Sequence, residues 1–482
     1  MIGNEYAILR TSGEAKGKTT KELFEMLEDK MNMKELSWTV TSKVAYINVN
    51  NEYYLTLLED GTIKEGKVAI LDIADGSIDL KTNGYVQGEI VYSGNNGNGY
   101  NVIGDFVEYD GAYVITGTTT KDVVRIVEKG TYDIIIKDLH IDIRSSYNDA
   151  LSYQRLCAFN ANRNKYNTDV FVNINIEGDN KLYGVGPAIG FVSGNISDYG
   201  EKASKLVING DGILHAEGST AIGSGPFGAE AATGNANNIT INSGKIMARK
   251  PSGTGCAIGG GNANNIVING GELDIESSKS GVGIGSYSGI VDNIQINGGK
   301  IRVTGGEYGG AIGGGKGSGR VIITGGIIEF SSLANSSSSM IGNNCSSVEI
   351  TGGTIIGNKL RHNIGIGTID VTENINITGG SIRIEERKSK YAVPPKSGEK
   401  DVYLTQIQLQ NVTEEVSITS LVTSDNLTYG IKDMYTTTEG KLYLYLPTGE
   451  REITIKTGEK EYTGKVITGD TDSTEVVTLN EK

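Results

Sequence analysis

The sequence predicts an all-β protein organised around a central solenoid, and two repeated phrases carry this prediction. The first phrase, apolar-x-Ile-(Asn/Thr)-(Gly/Ser)-Gly-x-(Ile/Leu), returns six times at intervals of 27 or 28 residues. The second phrase, built on Ile-Gly, occurs once in each interval between these copies. A regular period of this size is the sequence signature of stacked structural repeats. The six copies of the first phrase begin at Ile239, Ile266, Ile294, Val321, Val348 and Ile375.

Each repeat contains strand and turn signals but no helix signal. Ile239 and Ile241 are two positions apart, so they point to the same face of a strand. Asn242 and Gly244 follow, and both residue types tolerate the positive φ of a tight corner. Two or three short strands fill about 27 residues, whereas leucine-rich and ankyrin repeats need a helix in each unit. Stacking such coils pairs equivalent strands in parallel, with the inward Ile and Val in one apolar column and the Asn and Gly stacked at the corners.

Residues 1–107 predict a small N-terminal α+β domain. Thr19 and Glu22 suit a capping box that opens a helix over about residues 19–33. This helix has a broad apolar face, which must be buried against a neighbouring domain, subunit or partner. Strand and turn patterns follow, and a Gly- and Asn-rich loop at 94–99 indicates the domain boundary.

The solenoid is expected to span residues 108–392 and to begin with irregular coils. Segments such as residues 113–117 look like degenerate copies, which is typical of the end coils that shield an apolar column. Two units, at 191–204 and 224–238, are longer than the period. Insertions in solenoids commonly gather on one functional face, so these two segments are expected to project as loops.

A separate C-terminal module is predicted over residues 396–482. The repeat period stops after Ile384, and Pro394 and Pro395 indicate a linker. Apolar and polar residues then alternate between turn signals. This pattern is typical of a β-sandwich.

Composition excludes several classes of function. The net charge of −14 argues against a nucleic-acid or anionic-membrane binder. The three Cys and three His are scattered, which predicts no disulfide framework, no metal site and no other cofactor. No apolar run is long enough for membrane insertion. The first residues lack signal-peptide features, so a complete chain would leave the cell by lysis or a dedicated machine, or would stay inside.

The repeat phrases at 266–271 and 311–315 resemble right-handed parallel β-helix repeats of gut-bacterial surface proteins and of phage tail-fibre or tailspike proteins. Residues 110–118 look like the first segment of that group, and residues 442–449 look like its C-terminal module. The resemblance covers about residues 110–480. It implies a right-handed parallel β-helix, flanked by the N-terminal domain and the β-sandwich.

The resemblance also implies a function. Bacterial surface members would carry an export signal, so its absence favours a component of a virion or contractile tail, released by lysis. Residues 1–107 would then bind other tail or baseplate proteins, and a homotrimer is the family-like oligomer. The expected role is a non-enzymatic fibre or spike that binds host surface polysaccharide. A polysaccharide depolymerase and a bacterial cell-surface adhesin are the alternatives.

Acidic residues are candidate catalysts because some β-helix proteins are polysaccharide lyases or hydrolases. A glycosidase needs two carboxylates about 5–10 Å apart, and a lyase needs a base. Asp198, Glu201, Glu217 and Glu230 are the weak catalytic candidates, since they lie in or between the two long units. No catalytic signature surrounds them.

Aromatic residues give a stronger case for glycan binding. Phe191, Phe227 and Tyr287 each follow an Ile-Gly phrase closely, and Tyr308 precedes one. Rings at these positions could line one edge of the solenoid and stack on sugar faces. The alternative is that some of them only cover the flank of a coil.

Overall fold

A computed structural model shows a chain that is almost entirely β-structure in the part it describes. Its helical element there is a single 3-10 turn at Ile73–Asp75. The predicted helix at 19–33 lies outside the described residues. The structure describes residues 37–40, 45–49, 53–57, 63–92, 100–126, 128–145, 157–161, 169–191, 204–224, 236–250, 253, 255–278, 281–287, 289, 291–306, 310–314, 319–332, 339–343, 345–358, 364–367, 374–384 and 395–482.

The centre of the chain is a stack of coils, and each coil gives strands to three parallel ladders. Ile239 lies opposite Ile266, and Ile266 lies opposite Ile294. The same register continues to the last copy of the first phrase. The predicted parallel pairing of equivalent strands is therefore confirmed. The arrangement is compatible with a parallel β-helix.

The ladders differ in strand length, and their strands follow each other in the order first, second, third within a coil. The first ladder contains Ile63–Asp72, Ala112–Thr119, Gly130–Asp142, Val170–Glu177, Lys205–Gly210, Ile239–Ile241, Ile266–Ile268, Asn293–Ile296, Arg320–Ile323, Ser347–Ile350 and Asn374–Ile377. The second ladder contains the ends of Ala112–Thr119 and Gly130–Asp142, then Asp179–Tyr183, Ile213–Glu217, Lys245–Arg249, Glu272–Glu276, Lys300–Gly305, Ile327–Ser332, Thr354–Gly357 and Ser381–Ile384. The third ladder contains Ser77–Lys81, Val124–Ile126, Phe159–Asn160, Ile189–Gly190, Ile222–Gly223, Cys256–Gly260, Val282–Ser286, Ile312–Gly313, Ser339–Asn343 and Ile364–Ile366.

The inward side chains of all three ladders form one apolar core. Ile258, Ile284 and Ile312, from the Ile-Gly phrase, stack in register and are fully buried. One cluster of buried residues extends from Leu71 to Tyr445. The predicted continuous column is confirmed. Burying each such side chain stabilises the fold by about 1.5–3 kcal/mol.

The corner after each first-ladder strand is held by a ladder of amide side chains. Asn242 donates its side-chain N–H to Asn209 Oδ1 at 2.9 Å, and Asn269 donates to Asn242 Oδ1 at 2.7 Å. Asn297 donates to Asn269 Oδ1 at 2.8 Å, and the Thr324 hydroxyl donates to Asn297 Oδ1 at 2.8 Å. The predicted stacking of Asn at the corners is confirmed. Each rung satisfies polar groups that would otherwise compete for water at the core's edge.

The N-terminal boundary predicted at residue 107 is wrong, because the stack begins earlier. Val68 pairs in parallel with Ala112, and Ile78 pairs in parallel with Val124. The antiparallel strands Gly84–Tyr92, Tyr100–Ile103 and Phe106–Glu108 are inserted between these two coils. This insertion lengthens the first coil far beyond 27 residues and removes the repeat signal.

A short antiparallel hairpin series precedes the stack. Its strands pair in sequence order, and the last one continues into the first ladder at Val68. It therefore joins the stack through a shared strand. The strands of this series are Ser37–Val40, Ala45–Val49, Tyr53–Leu57 and the first half of Ile63–Asp72.

The C-terminal unit is all-β and has its own apolar cluster, which includes the buried Leu444, Ile455 and Tyr462. Most of its strands pair antiparallel, as a β-sandwich requires. Val402 and Tyr445 instead join the core of the stack, so they close its last coil. The strands of this unit are Lys396–Ser397, Lys400–Leu409, Ser420–Thr423, Lys441–Pro447, Gly449–Thr457, Lys460–Thr468 and Val476–Glu481.

A segment of the C-terminal unit, residues 429–435, runs along the corners of the last coils, and we call it the strap. The Gly353 N–H donates to Lys432 O at 2.7 Å, and the Gly380 N–H donates to Gly430 O at 2.8 Å. The strap therefore holds successive coils through their backbones. No sequence signal predicted this contact.

Candidate ligand-binding face

The outward side chains of the second ladder form a polar surface, which we call the charged face. Successive side chains of a strand alternate between its two faces, so every second residue of these strands is directed away from the apolar core. The register then brings equivalent residues of neighbouring coils side by side, about 4.8 Å apart. The charged face consists of Asp142, Arg144, Tyr183, Glu217, Arg249, Asp274 and Glu276.

Arg144 is the centre of the upper part of this face. Its Nη2 lies 2.7 Å from Asp142 Oδ2, and its Nη1 lies 2.7 Å from Glu217 Oε1. The guanidinium carbon lies 4.2 Å from the centre of the Tyr183 ring. These groups meet because the register places Asp142, Tyr183 and Glu217 opposite one another in three successive coils. One guanidinium thus fixes two carboxylates and a ring.

Hydrogen bonding keeps this cluster in its ordinary charge states at neutral pH. The Arg144 guanidinium donates to the Asp142 carboxylate and holds the pKa of that carboxyl below its usual range. The same hydrogen bond raises the pKa of Arg144. Burial raises the pKa of Tyr183, whose hydroxyl therefore stays protonated. The cluster offers fixed donors and acceptors and does not offer a readily lost proton.

The lower part of the charged face continues the alternation of charge between coils. Arg249 Nη2 lies 2.6 Å from Asp274 Oδ2, and Arg249 Nη1 lies 3.1 Å from Glu276 Oε2. These side chains are about one-third to one-half exposed, so each pair stabilises the stack by no more than about 1 kcal/mol. The pairs fix the direction in which each polar group is presented.

Comparisons with known proteins do not identify this chain. No family model, curated protein or solved structure matches it. Function is therefore inferred from the residues of the charged face and from the architecture that presents them.

Glu217 is the only one of the four predicted catalytic candidates within the described residues; Asp198, Glu201 and Glu230 lie outside them. Its carboxylate is bound by Arg144, which also binds Asp142. A glycosidase needs one carboxyl group whose pKa is raised, so that it can donate a proton to the leaving group. The pKa of Asp142 is lowered instead. Asp142 therefore lacks the raised pKa of a general acid, and Arg144 holds both carboxylates as hydrogen-bond acceptors.

The four predicted glycan-binding rings have different outcomes. The prediction that Phe191 binds a glycan is wrong, since its side chain is fully buried in the core and cannot stack on a ligand. The reason is that its N–H donates to Gly223 O, which extends the third ladder and turns the ring inward. The Tyr287 side chain is 39 % exposed and is available to a ligand. Phe227 and Tyr308 lie outside the described residues.

Tyr183 is the aromatic residue of the charged face, and sequence reasoning missed it. It lies before the regular repeats, and its neighbour Glu217 is 34 positions away, so its register was not visible from the 27-residue period. The available signal was the alternation in Lys181-Leu182-Tyr183, which places Leu182 inward and its two neighbours outward.

Two further searches covered the described residues. Within the ranges given above, no group of three or more His, Cys, Asp or Glu side chains is placed to hold a metal ion. In the same residues, no helix has the length and apolarity needed to cross a bilayer.

Proposed function

We propose that this chain is a non-enzymatic structural and receptor-binding component of a phage or phage-tail-like particle, a fibre or a spike. Its stack would be a right-handed parallel β-helix that acts as a spacer and binds host surface glycans on the charged face. The part of residues 1–107 that precedes the stack would attach it to other tail or baseplate proteins, and the assembly would be a homotrimer. The observation that carries the proposal is the Arg144 and Tyr183 cluster on a rigid stack.

The stack suits a spacer because its coils share ladders and a core. The third ladder contains ten parallel strands in the described residues. At about 4.8 Å for each step, these strands span roughly 45 Å. Bending such a stack would break in-register hydrogen bonds and open a close-packed interior, so it resists deformation.

The cluster suits a glycan because sugars present both apolar faces and hydroxyl groups. The Tyr183 ring supplies flat apolar area, and the Asp142 and Glu217 carboxylates can accept hydrogen bonds from hydroxyls. Arg144 holds all three groups in place before a ligand arrives, which reduces the entropy lost on binding. The acidic net charge of −14 favours neutral glycans over anionic ones.

A glycan array probed with the full chain tests the binding. We expect wild type to bind a limited set of neutral glycans, and Tyr183→Ala and Arg144→Ala to weaken that binding at least about tenfold. The matched control is Arg302→Ala, which removes another exposed, ion-paired arginine from the same ladder. Equal binding by all four proteins, or no binding by wild type, would refute the assignment. Release of shorter oligosaccharides would instead establish a depolymerase.

Electron microscopy tests the particle. An antibody against residues 396–482 should label the tips of phage or tail-like particles in a lysate of the source cells. Light scattering of the purified chain should give three times the mass of one chain. Label confined to cell walls would favour the adhesin, and a monomer would exclude the trimer.

A further inference from the structure

The strap covers only part of a longer groove. Under the strap, the Gly-Gly corners at 325–326, 352–353 and 379–380 are buried. The equivalent corners at 243–244 and 270–271 are half-exposed. We call residues 242–244 and 269–271 the open corners. They continue the surface on which the strap lies.

The strap shows which chemistry these corners bind. The second Gly of each covered corner directs its N–H outward to a strap oxygen. For Gly326 this oxygen is Asp433 Oδ2, at 2.8 Å. In the other direction, Lys432 Nζ donates to Asn297 O at 2.5 Å. The strap forms a turn there, since the Met434 N–H donates to Ile431 O at 3.1 Å and Asp433 has a positive φ of 52°. A turn that carries a carboxylate and an ammonium group therefore matches a row of corners.

The open corners carry the same groups without the strap. Within the described residues, the N–H groups of Gly244, Gly271 and Gly299 donate no hydrogen bond. The backbone oxygens of Asn242 and Asn269 lie at the positions that correspond to Asn297 O. These donors and acceptors repeat about every 4.8 Å along the stack.

We propose that the open corners are a docking groove for a peptide turn that carries a carboxylate, bound in the same way as the strap. The strap is the internal example of such a ligand, and the groove is continuous with the surface it occupies. The other end of the groove is limited by the strand Ser37–Val40, which lies beside Lys205–Gly210. This leaves two open corners plus Gly299, a row of three donors about 10 Å long. The proposal does not depend on glycan binding.

A labelled peptide with the sequence of residues 429–435 is the probe, and fluorescence anisotropy with the full chain is the readout. We expect saturable binding at peptide concentrations below about 1 mM. Ser243→Asp places a carboxylate beside the Gly244 N–H and should weaken binding about tenfold, because it satisfies that donor and repels the peptide. Ser243→Asn is the matched control of equal size and no charge, and it should bind within about twofold of wild type.

The fold tolerates both substitutions on structural grounds. Ser243 Oγ accepts a hydrogen bond from the Gly210 N–H at 3.0 Å, and the oxygen of Asp or Asn can accept the same bond. Equal circular dichroism spectra of the two variants will show that the comparison is made on folded protein.

A second peptide and a cross-linking experiment complete the test. Replacing the peptide's Asp, the counterpart of Asp433, by Asn should remove the difference between Ser243→Asp and Ser243→Asn. A photo-reactive peptide should cross-link to residues 242–245 or 269–272. Cross-links at the corners beneath the strap would mean that the peptide only displaces the strap. That result, or the absence of saturable binding, would overturn the proposal.

Discussion

Lys250 is a buried cation in the wall of the stack, and its removal should stabilise the protein at neutral pH. It follows the strand Lys245–Arg249 and is only 3 % exposed. The backbone N–H of Lys250 donates to Glu276 O, which fixes this residue in the coil. Burial lowers the pKa of Lys250 from 10.5 to about 8, because the charged ammonium is poorly solvated there.

The sign of the effect follows from proton linkage. Between the folded pKa of about 8 and the unfolded value of 10.5, the unfolded chain binds more protons, so stability rises with pH through this window. Below pH 8 both states are protonated and the destabilisation is complete. A shift of this size corresponds to about 3 kcal/mol. Lys250→Met keeps most of the side-chain volume and removes the charge.

Chemical denaturation followed by circular dichroism measures the difference. We expect Lys250→Met to be more stable than wild type by up to about 3 kcal/mol at pH 7 and by only about 1 kcal/mol at pH 10. Lys245→Met is the control, since Lys245 lies on the same strand with its side chain 48 % exposed. Its stability difference from wild type should stay within about 0.5 kcal/mol at both pH values. A gap for Lys250→Met that does not change with pH would refute the assignment of a buried, destabilising charge.

Substitutions at four further positions test the architecture. Asn269→Ala removes two rungs of the amide ladder and should lower stability by about 1–3 kcal/mol in thermal unfolding, whereas Asn269→Thr, the residue of later corners, should cost less. Gly325→Ala places a Cβ 2.6 Å from Asp433 Oδ2 and 2.7 Å from Asn297 O, so it should strain the corner and loosen the strap, seen as faster proteolysis within residues 429–435; unchanged cleavage would contradict the contact. Phe191→Ala should cost about 3–5 kcal/mol as a core deletion. Tyr287→Ala should leave stability within about 0.5 kcal/mol of wild type; the opposite pattern for these two rings would reverse their assignment.

The stack could be predicted from the sequence because the repeat period is also the register of the parallel ladders. Residues 27 or 28 positions apart, such as Ile239 and Ile266, are direct neighbours in a parallel ladder, so spacing alone predicted pairing, core and corners. The same reasoning failed where coils differ in length. Val68 and Ala112 are neighbours 44 positions apart, and no repeat connects them. The N-terminal boundary was therefore placed too late.

The charged face could be predicted from the sequence only in part, for a related reason. Outward residues carry no apolar pattern, so their neighbours are known only when register is known. Arg144 and Glu217 lie 73 positions apart and meet because two coils of unequal length separate them. Phe191 shows the converse error, since an aromatic residue beside an Ile-Gly phrase was expected on an edge. The third ladder continues through it and directs the ring inward.

The strap covers the corners at which the first residue of the repeat's turn changes from Asn to Thr. Corners of the first coils begin with Asn, as at Asn269, and those of the last three begin with Thr, as at Thr351. Asn side chains hydrogen-bond from corner to corner along the stack, and the Thr324 hydroxyl ends this series. The strap lies close to the Thr corners: a Cβ on Gly430 would lie 1.8 Å from Thr351 O, so only glycine fits there. In this chain the change from Asn to Thr therefore coincides with the corners that the strap covers. The Asn corners that remain uncovered are the ones we propose as the docking groove.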